Sequence, residues 1–483
     1  MGKCKHYEIC GIEDPGEIDD YLCILHCRDP NKSQASFRQA FENHQQIKER
    51  ANKFDYIAFP YEADLSGRTF DEGASFSRTT FLKGANFYEA KFFKYARFTL
   101  CTFAEYANFS GASFDAHAWF TKATFESDAD FTLAEFSGRV DFGGAKFKGN
   151  ANLSSASFAR ASFHNTEFHG GADFSSATFT SNAVFRRLTF PKRAVFQYVR
   201  FNGYFIFNSV SFSGDADFSG AIFAKEGAFS DADFEQFANF GSARFLGPVE
   251  FSGTSEKRIF LKEANFERVV IVNESLVFIR AKLSRCRLLG SDVRRARFIG
   301  VRWPQIGSRY CVYDESIPLN EGERRDWEQL EELYRQLKQN YEERHDYERA
   351  GHFHIGEKEM RLRNPDTRLD LRFLLALYKV ISGYGENYFR PLMWLFLVML
   401  LTAATGLVHG LEIAADKHAI RLSVNSLIHW GWAIVYAVQT IFHVPVTEFT
   451  PKGFARVIHT FSSIFGPVLL GLFGLALRQR LKR

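Results

Sequence analysis

Five soft ligands crowd the start of the chain: Cys4, Cys10, Cys23, His26 and Cys27. Thiolate and imidazole are the donors tetrahedral zinc prefers, and four of them close a structural site with no open position. The spacing predicts one structural zinc on Cys4, Cys10 and Cys23, with either His26 or Cys27 as fourth ligand, closing a loop around Asp14-Pro15-Gly16. A segment of about 30 residues has too little core to hold itself without such a staple. Near the other end, Thr440, His443, Val444, Pro445, Val446, Thr447 and Glu448 form a polar reversal between long apolar stretches. Polar groups at membrane depth must line water or protein, so these residues suit an ion path.

No catalytic pattern accompanies them. The chain carries no glycine-framed Gly-Lys-Ser/Thr phosphate loop and no nucleophile elbow, and His164 and His169 fall in outward loop positions. The protein is expected not to be an enzyme. Seven cysteines, four of them between Cys4 and Cys27, suit a reducing cytosol.

Between the two clusters, phenylalanine recurs with a stride alternating between six and five residues, from Phe70, Phe76, Phe81, Phe87, Phe92 and Phe98 onward to Phe251. Leu153 alone changes the side chain. Two positions before nearly every rung stands a small residue, as in Ala107-Asn108-Phe109 and Ala172-Asp173-Phe174. Residues two apart in an extended segment share a face, so the small residue and the Phe point inward and the residue between them outward. An 11-residue period also fits a helical supercoil. The Gly, Ser, Thr, Asn and Asp between the rungs favour turns instead, and a solenoid of short strands is predicted.

These residues resemble the pentapeptide-repeat family, whose signature is Ala-(Asp/Asn)-(Leu/Phe)-x-x. The resemblance spans residues 63–303 and implies a mainly β fold, a right-handed quadrilateral β-helix. The inserted residue at every second repeat lengthens each coil to about 22 residues, giving about eleven coils and a rod on the order of 50 Å. A strict five-residue stride closes it, at Leu283, Leu288, Val293, Phe298 and Trp303. Some relatives imitate DNA with an acidic face. Residues 63–303 hold 30 Lys and Arg against 25 Asp and Glu, a net charge of +5, so mimicry is excluded and no nucleic acid is expected as partner. The basic run from Arg280 to Arg302 is expected to lie toward the membrane.

The C-terminal third turns apolar. Residues 391–408 carry no ionisable group and residues 457–477 only His459, each with its flanks long enough to cross a bilayer. Gly466, Gly471 and Gly474 suit close helix packing in lipid. Residues 427–442 are shorter and rich in Trp and Tyr, which predicts a re-entrant half-helix. Span, half-helix and span over residues 390–483 resemble the pore module of potassium-channel-like proteins. Aligned to Thr-Val-Gly-Tyr-Gly-Asp-x-x-Pro, Val444 stands at the filter valine and Glu448 at the acidic residue behind it. His443, Pro445, Val446 and Thr447 depart from the filter, because Pro cannot take the left-handed backbone its glycines allow. The resemblance implies a degenerate filter, four chains around one axis and an ion whose identity the residues do not specify.

Residues 31–62 read as a helical linker and N-cap. Residues 321–363 read as a helical hairpin resembling the tetratricopeptide type, and residues 367–389 as an amphipathic helix at the membrane surface. Basic flanks at Arg372, Lys379, Arg390, Arg478 and Arg480 place both termini and the β-helix in the cytoplasm of a multi-pass cell-membrane protein. The expected function is ion-channel-like transport, with the β-helix sensing, coupling or binding a protein partner. The alternative is a membrane-tethered scaffold that binds a partner and conducts nothing.

Overall fold

Four inward rings per turn build the core of the first part of the chain. Phe98, Phe103, Phe109 and Phe114 are 0–1% exposed, and each stacks on the matching ring of the next turn with near-parallel planes, as for Phe109 on Phe131 at 4.9 Å and 2°. Neighbouring columns meet edge to face, with Phe98 against Phe109 at 5.3 Å and 89°. Both are preferred arrangements of aromatic quadrupoles. The computed structural model in which these contacts occur describes residues 4–6, 22–47, 52–253, 259–319, 324–415, 418–444 and 449–481. It divides into two units: Met1–Gln305 with Cys311–Asn320, and Ile306–Tyr310 with Glu321–Arg483.

The first unit is a β-solenoid. Ala107–Asn108 pairs in parallel with Ala85–Asn86 on one side and Ala129–Asp130 on the other. Eleven such two-residue strands, from Ala63–Asp64 to Cys286–Arg287, form one ladder, so the solenoid has about eleven turns. The remaining faces join a second, 26-stranded parallel sheet. Leu153 fills the place of a ring and is fully buried.

The alternating stride has a backbone cause. In the five-residue intervals the chain turns through a left-handed third residue: Arg78, Glu89, Leu100, Lys122 and Leu133 all have φ between 52° and 60°. Each such turn closes with a hydrogen bond, as from Thr79 N to Phe76 O and from Ala134 N to Phe131 O. A left-handed residue with a side chain costs about 1–2 kcal/mol, and its N–H is satisfied by the next turn, Lys122 N donating to Gly143 O at 3.0 Å. The outward residue before each ring also has a partner on one face. Asn108 Oδ1 accepts from Ser110 N at 3.0 Å, and Asn108 Nδ2 donates to Asn86 Oδ1 in the turn below at 3.2 Å.

The ring columns begin before residue 63. Phe54 stacks on Phe76 at 4.3 Å, and Ala58–Phe59 pairs with Thr80–Phe81. Helix α1 (Gln34–Gln46) covers this end through buried Phe37, whose ring meets Phe59 at 5.6 Å. At the far end several residues of the basic run are paired: Arg294 with Asp292 and Arg287 with Glu263, while Arg297 lies 3.9 Å from Glu274.

Asp314 closes that end. Its carboxylate accepts the N–H groups of Leu288 and Leu289 at 3.1 Å, and burial pushes its pKa up to about 6. The folded state therefore favours the protonated form, and ionisation costs stability as pH rises from about 4 to about 6, on the order of 3 kcal/mol in all. Relative to Asp314→Asn, wild-type thermal stability is expected to fall over that interval and level off above it. A pH-independent difference between the two proteins would exclude this role.

In the second unit, helices α2 (Trp327–Glu343) and α3 (Tyr347–Arg363) form a hairpin. Asp326 and Asp346 cap them by accepting from Gln329 N and Arg349 N. Leu330, Leu333, Leu337 and Tyr341 bury one face of α2, and the Tyr341 ring stacks on Phe353 of α3 at 5.4 Å. Helix α4 (Leu369–Ser382) ends in left-handed Gly383. Then follow α5 (Phe389–His409), α6 (Leu427–Phe442) and α7 (Ala455–Leu481). Helices α5 and α7 are long and apolar enough to cross a membrane.

Candidate functional site

A small antiparallel sheet governs the C-terminal helices. Strand Leu411–Ala415, directly after α5, pairs with His418–Arg421 before α6 and with Phe449–Pro451 before α7. The end of α5 and the start of α7 are thus held together, and Lys452 N donates to Gly410 O at 2.9 Å. Helices α5 and α7 run antiparallel from this sheet: Thr402 Oγ1 lies 2.6 Å from Ser462 Oγ, and farther along Val398 packs with Leu469.

Helix α6 inserts beside both. Near the sheet, Ala433, Tyr436 and Ala437 pack with Ala403, Leu407, Leu411 and Leu422. At its far end Ile441 joins Val398 and Leu469. The chain therefore leaves the sheet along α6 and regains it at Phe449, making a closed excursion. At 1.5 Å per residue, α6 is about 24 Å long. The six steps from His443 to Phe449 reach at most about 20–22 Å when fully extended, which bounds how far Phe449 can lie from the helix end.

Several sequence-predicted residues fall on this excursion. Thr440 is buried in α6, its Oγ1 donating to Tyr436 O at 2.8 Å. His443 ends the helix in the left-handed region, φ 56°, with its N–H on Gln439 O. Val444 is exposed. Pro445, Val446, Thr447 and Glu448 lie outside the described residues. At Gly466 α7 packs tightly on α6: a Cβ there would stand 2.8 Å from Ile441 Cγ2. A Cβ at Gly471 or Gly474 would meet nothing within 4 Å among the described residues beyond its own stretch of helix.

The sequence reading gave no role to His459. Its Nδ1 lies 3.0 Å from Tyr436 Oη and 3.2 Å from Thr440 Oγ1, joining α7 to α6 by polar contacts. A lone ionisable residue in an otherwise apolar span was the available signal, since such residues are rarely without a partner. Glu359 was also missed. Buried on α3, it accepts from Lys379 Nζ of α4 at 2.8 Å and from Tyr384 Oη at 3.0 Å. Burial opposes its ionisation, yet the bonds from Lys379 and Tyr384 hold its pKa below the ordinary range. Arg390 at the start of α5 donates to Lys379 O at 2.8 Å, so the hairpin, α4 and α5 are linked in series.

At the other end of the chain, Cys4, Cys23 and His26 converge, and Cys27 is buried outside their cluster. Cys10 lies outside the described residues.

The fold is that of a β-solenoid protein with a helical unit carrying two helices fit to span a membrane. Residues 87–134, 131–178 and 207–255 match the family model for pentapeptide repeats, and the solenoid is a pentapeptide-repeat solenoid. No curated protein and no solved structure matches the chain.

Proposed function

We propose that the protein is an ion-channel-like membrane protein in which a cytosolic pentapeptide-repeat solenoid senses, couples or binds a partner. The observation that carries this reading is the closed excursion of α6 between two span-length helices pinned by one sheet. A plain two-helix anchor has no need to fold a 16-residue apolar helix back between its spans. Side chains support membrane residence. Phe389, Met393, Phe396 and Leu397 on α5, and Val457, Ile464 and Val468 on α7, are about half exposed. In water so continuous an apolar belt would drive association. Both termini and the solenoid then lie in the cytoplasm, and copies of the chain, four in the potassium-channel arrangement, surround the ion path.

Purified protein in planar bilayers is expected to pass current under voltage or tension. Glu448→Gln should change ion preference or open probability more than Glu412→Gln, because Glu412 is already bound to Lys452 beside the sheet. Absence of current from a monomeric or dimeric chain would favour the tethered scaffold. One observation fits that second reading: the solenoid leaves Tyr88, Phe93, Tyr95 and Tyr106 40–49% exposed, and aromatic residues are enriched where proteins meet.

A further inference from the structure

We propose that Cys4, Cys23 and His26 bind one zinc ion, and that the ion clamps the N-terminal segment onto the first coil of the solenoid, beside α1. The three side chains are 1–3% exposed, and their ligand atoms all lie within 4.8 Å of one another. His26 Nδ1 is 3.1 Å from Cys23 Sγ and 3.5 Å from Cys4 Sγ. Around tetrahedral zinc, bonds of about 2.3 Å to sulfur and about 2.05 Å to nitrogen put the two ligand atoms about 3.6 Å apart. Small movements admit the ion.

Hydrogen bonding alone does not account for the cluster. Nδ1 carries either one lone pair or one proton, yet two sulfurs are aimed at it. One cation between the three atoms satisfies all of them. Cys4 Sγ also accepts from two backbone donors, His6 N at 3.5 Å and Cys23 N at 3.4 Å, which fix its place in the cluster. The other ring nitrogen, His26 Nε2, is buried without a hydrogen-bond partner among the described residues, so polar contacts orient the ring only from the Nδ1 side.

The same geometry separates the two sequence alternatives. Cys27, the residue after His26, is fully buried but directs its Sγ toward Asp29 N at 3.4 Å and stands apart from the three converging ligands. His26 is therefore the ligand and Cys27 a packing residue.

The anchoring role follows from what the turn touches. Its backbone is closed by His26 N and Cys27 N donating to Cys23 O, at 2.9 and 3.0 Å. Ala58 N of the first solenoid strand donates to Leu25 O at 2.7 Å. Lys32 Nζ bridges the carbonyls of Ile24, Cys27 and Ala58 at 2.7, 2.7 and 2.5 Å. The turn thus sits on the exposed edge of the first coil, where unpaired backbone groups would otherwise invite another strand. Zinc ties Cys4, which stands well before the turn in the chain, to that cap.

The test uses untagged full-length protein purified in detergent under reducing conditions, loaded with zinc and dialysed against metal-free buffer. About one zinc per chain is expected. Cys4→Ser, Cys23→Ser and His26→Ala should each lower the content about tenfold or more, His26→Cys should restore it, and Cys27→Ser should retain it. Cobalt loading should give the visible bands of a tetrahedral thiolate site. Stripping the metal should expose residues 22–32 to protease while the solenoid's circular dichroism persists. Because Cys27 is as buried as the three ligands, a general packing defect would appear in Cys27→Ser as well. Metal-free wild type with a protease-resistant N-terminal segment, or equal zinc loss in Cys27→Ser, would overturn the proposal.

Discussion

Phe109→Ala is expected to lower the stability of the solenoid by about 3–5 kcal/mol, against about 1 kcal/mol or less for Asn108→Ala next to it. The ring is fully buried, stacked at 4.7 Å on Phe87 and 4.9 Å on Phe131, and met edge to face by Phe98 and Phe120. Alanine removes the whole ring from a space that neighbouring turns cannot close, since their spacing is fixed by the ladder of Ala107 with Ala85 and Ala129. Asn108→Ala loses two turn bonds, from Ser110 N and Ser110 Oγ, and one ladder bond, all partly exposed to water that replaces them. Denaturant unfolding followed by circular dichroism measures both variants. Equal losses at the two positions would contradict the inward-ring core.

The second large effect is expected at Gly466. A leucine there would meet Ile441 at once, because even a Cβ stands 2.8 and 3.0 Å from its branched carbons. Overpacking of this kind costs about 1–3 kcal/mol. It would be relieved by moving α6 off α7, which would lengthen the contacts of His459 with Tyr436 and Thr440. If the excursion forms an ion path, Gly466→Leu should abolish or strongly reduce current in bilayers, and Ile441→Ala in the same chain should recover part of it. Unaltered current in Gly466→Leu would mean that the α6–α7 contact does not position the path.

The sequence made the solenoid legible because the alternation within a strand and the repeat from turn to turn coincide on one side-chain type. The spacing of Ala107, Phe109 and Phe131 carries face, turn and column together. It did not show where the columns start, since Phe54 and Phe59 lack the small residue two places before that marks later rungs. Nor did it show the left-handed corners. Glycine stands at only some of them, as at Gly111, Gly144 and Gly220, while Arg78, Lys122 and Leu133 take the same strained backbone with a side chain. The limits of α6 were readable from hydropathy. Its contacts were not, because Tyr436, Thr440 and His459 meet across a reversal that has no sequence period. Glu359 was hidden for the same reason, since Lys379 and Tyr384 reach it from a later helix and the turn beyond it.

The uniform columns carry a consequence for how the chain finds its fold. Turn after turn offers the next one nearly the same surface, Ala on Ala and Phe on Phe, so a segment that docks one turn out of place loses little contact energy. Register must come from features that do not repeat. Leu153 is one, since a slip would set it against a ring column shaped for Phe. The ends are the others: α1 with Phe37 at one, Asp314 beneath Leu288 at the other. Folding that spreads inward from an end would count turns correctly, whereas folding begun in the middle would have to wait for an end to correct it.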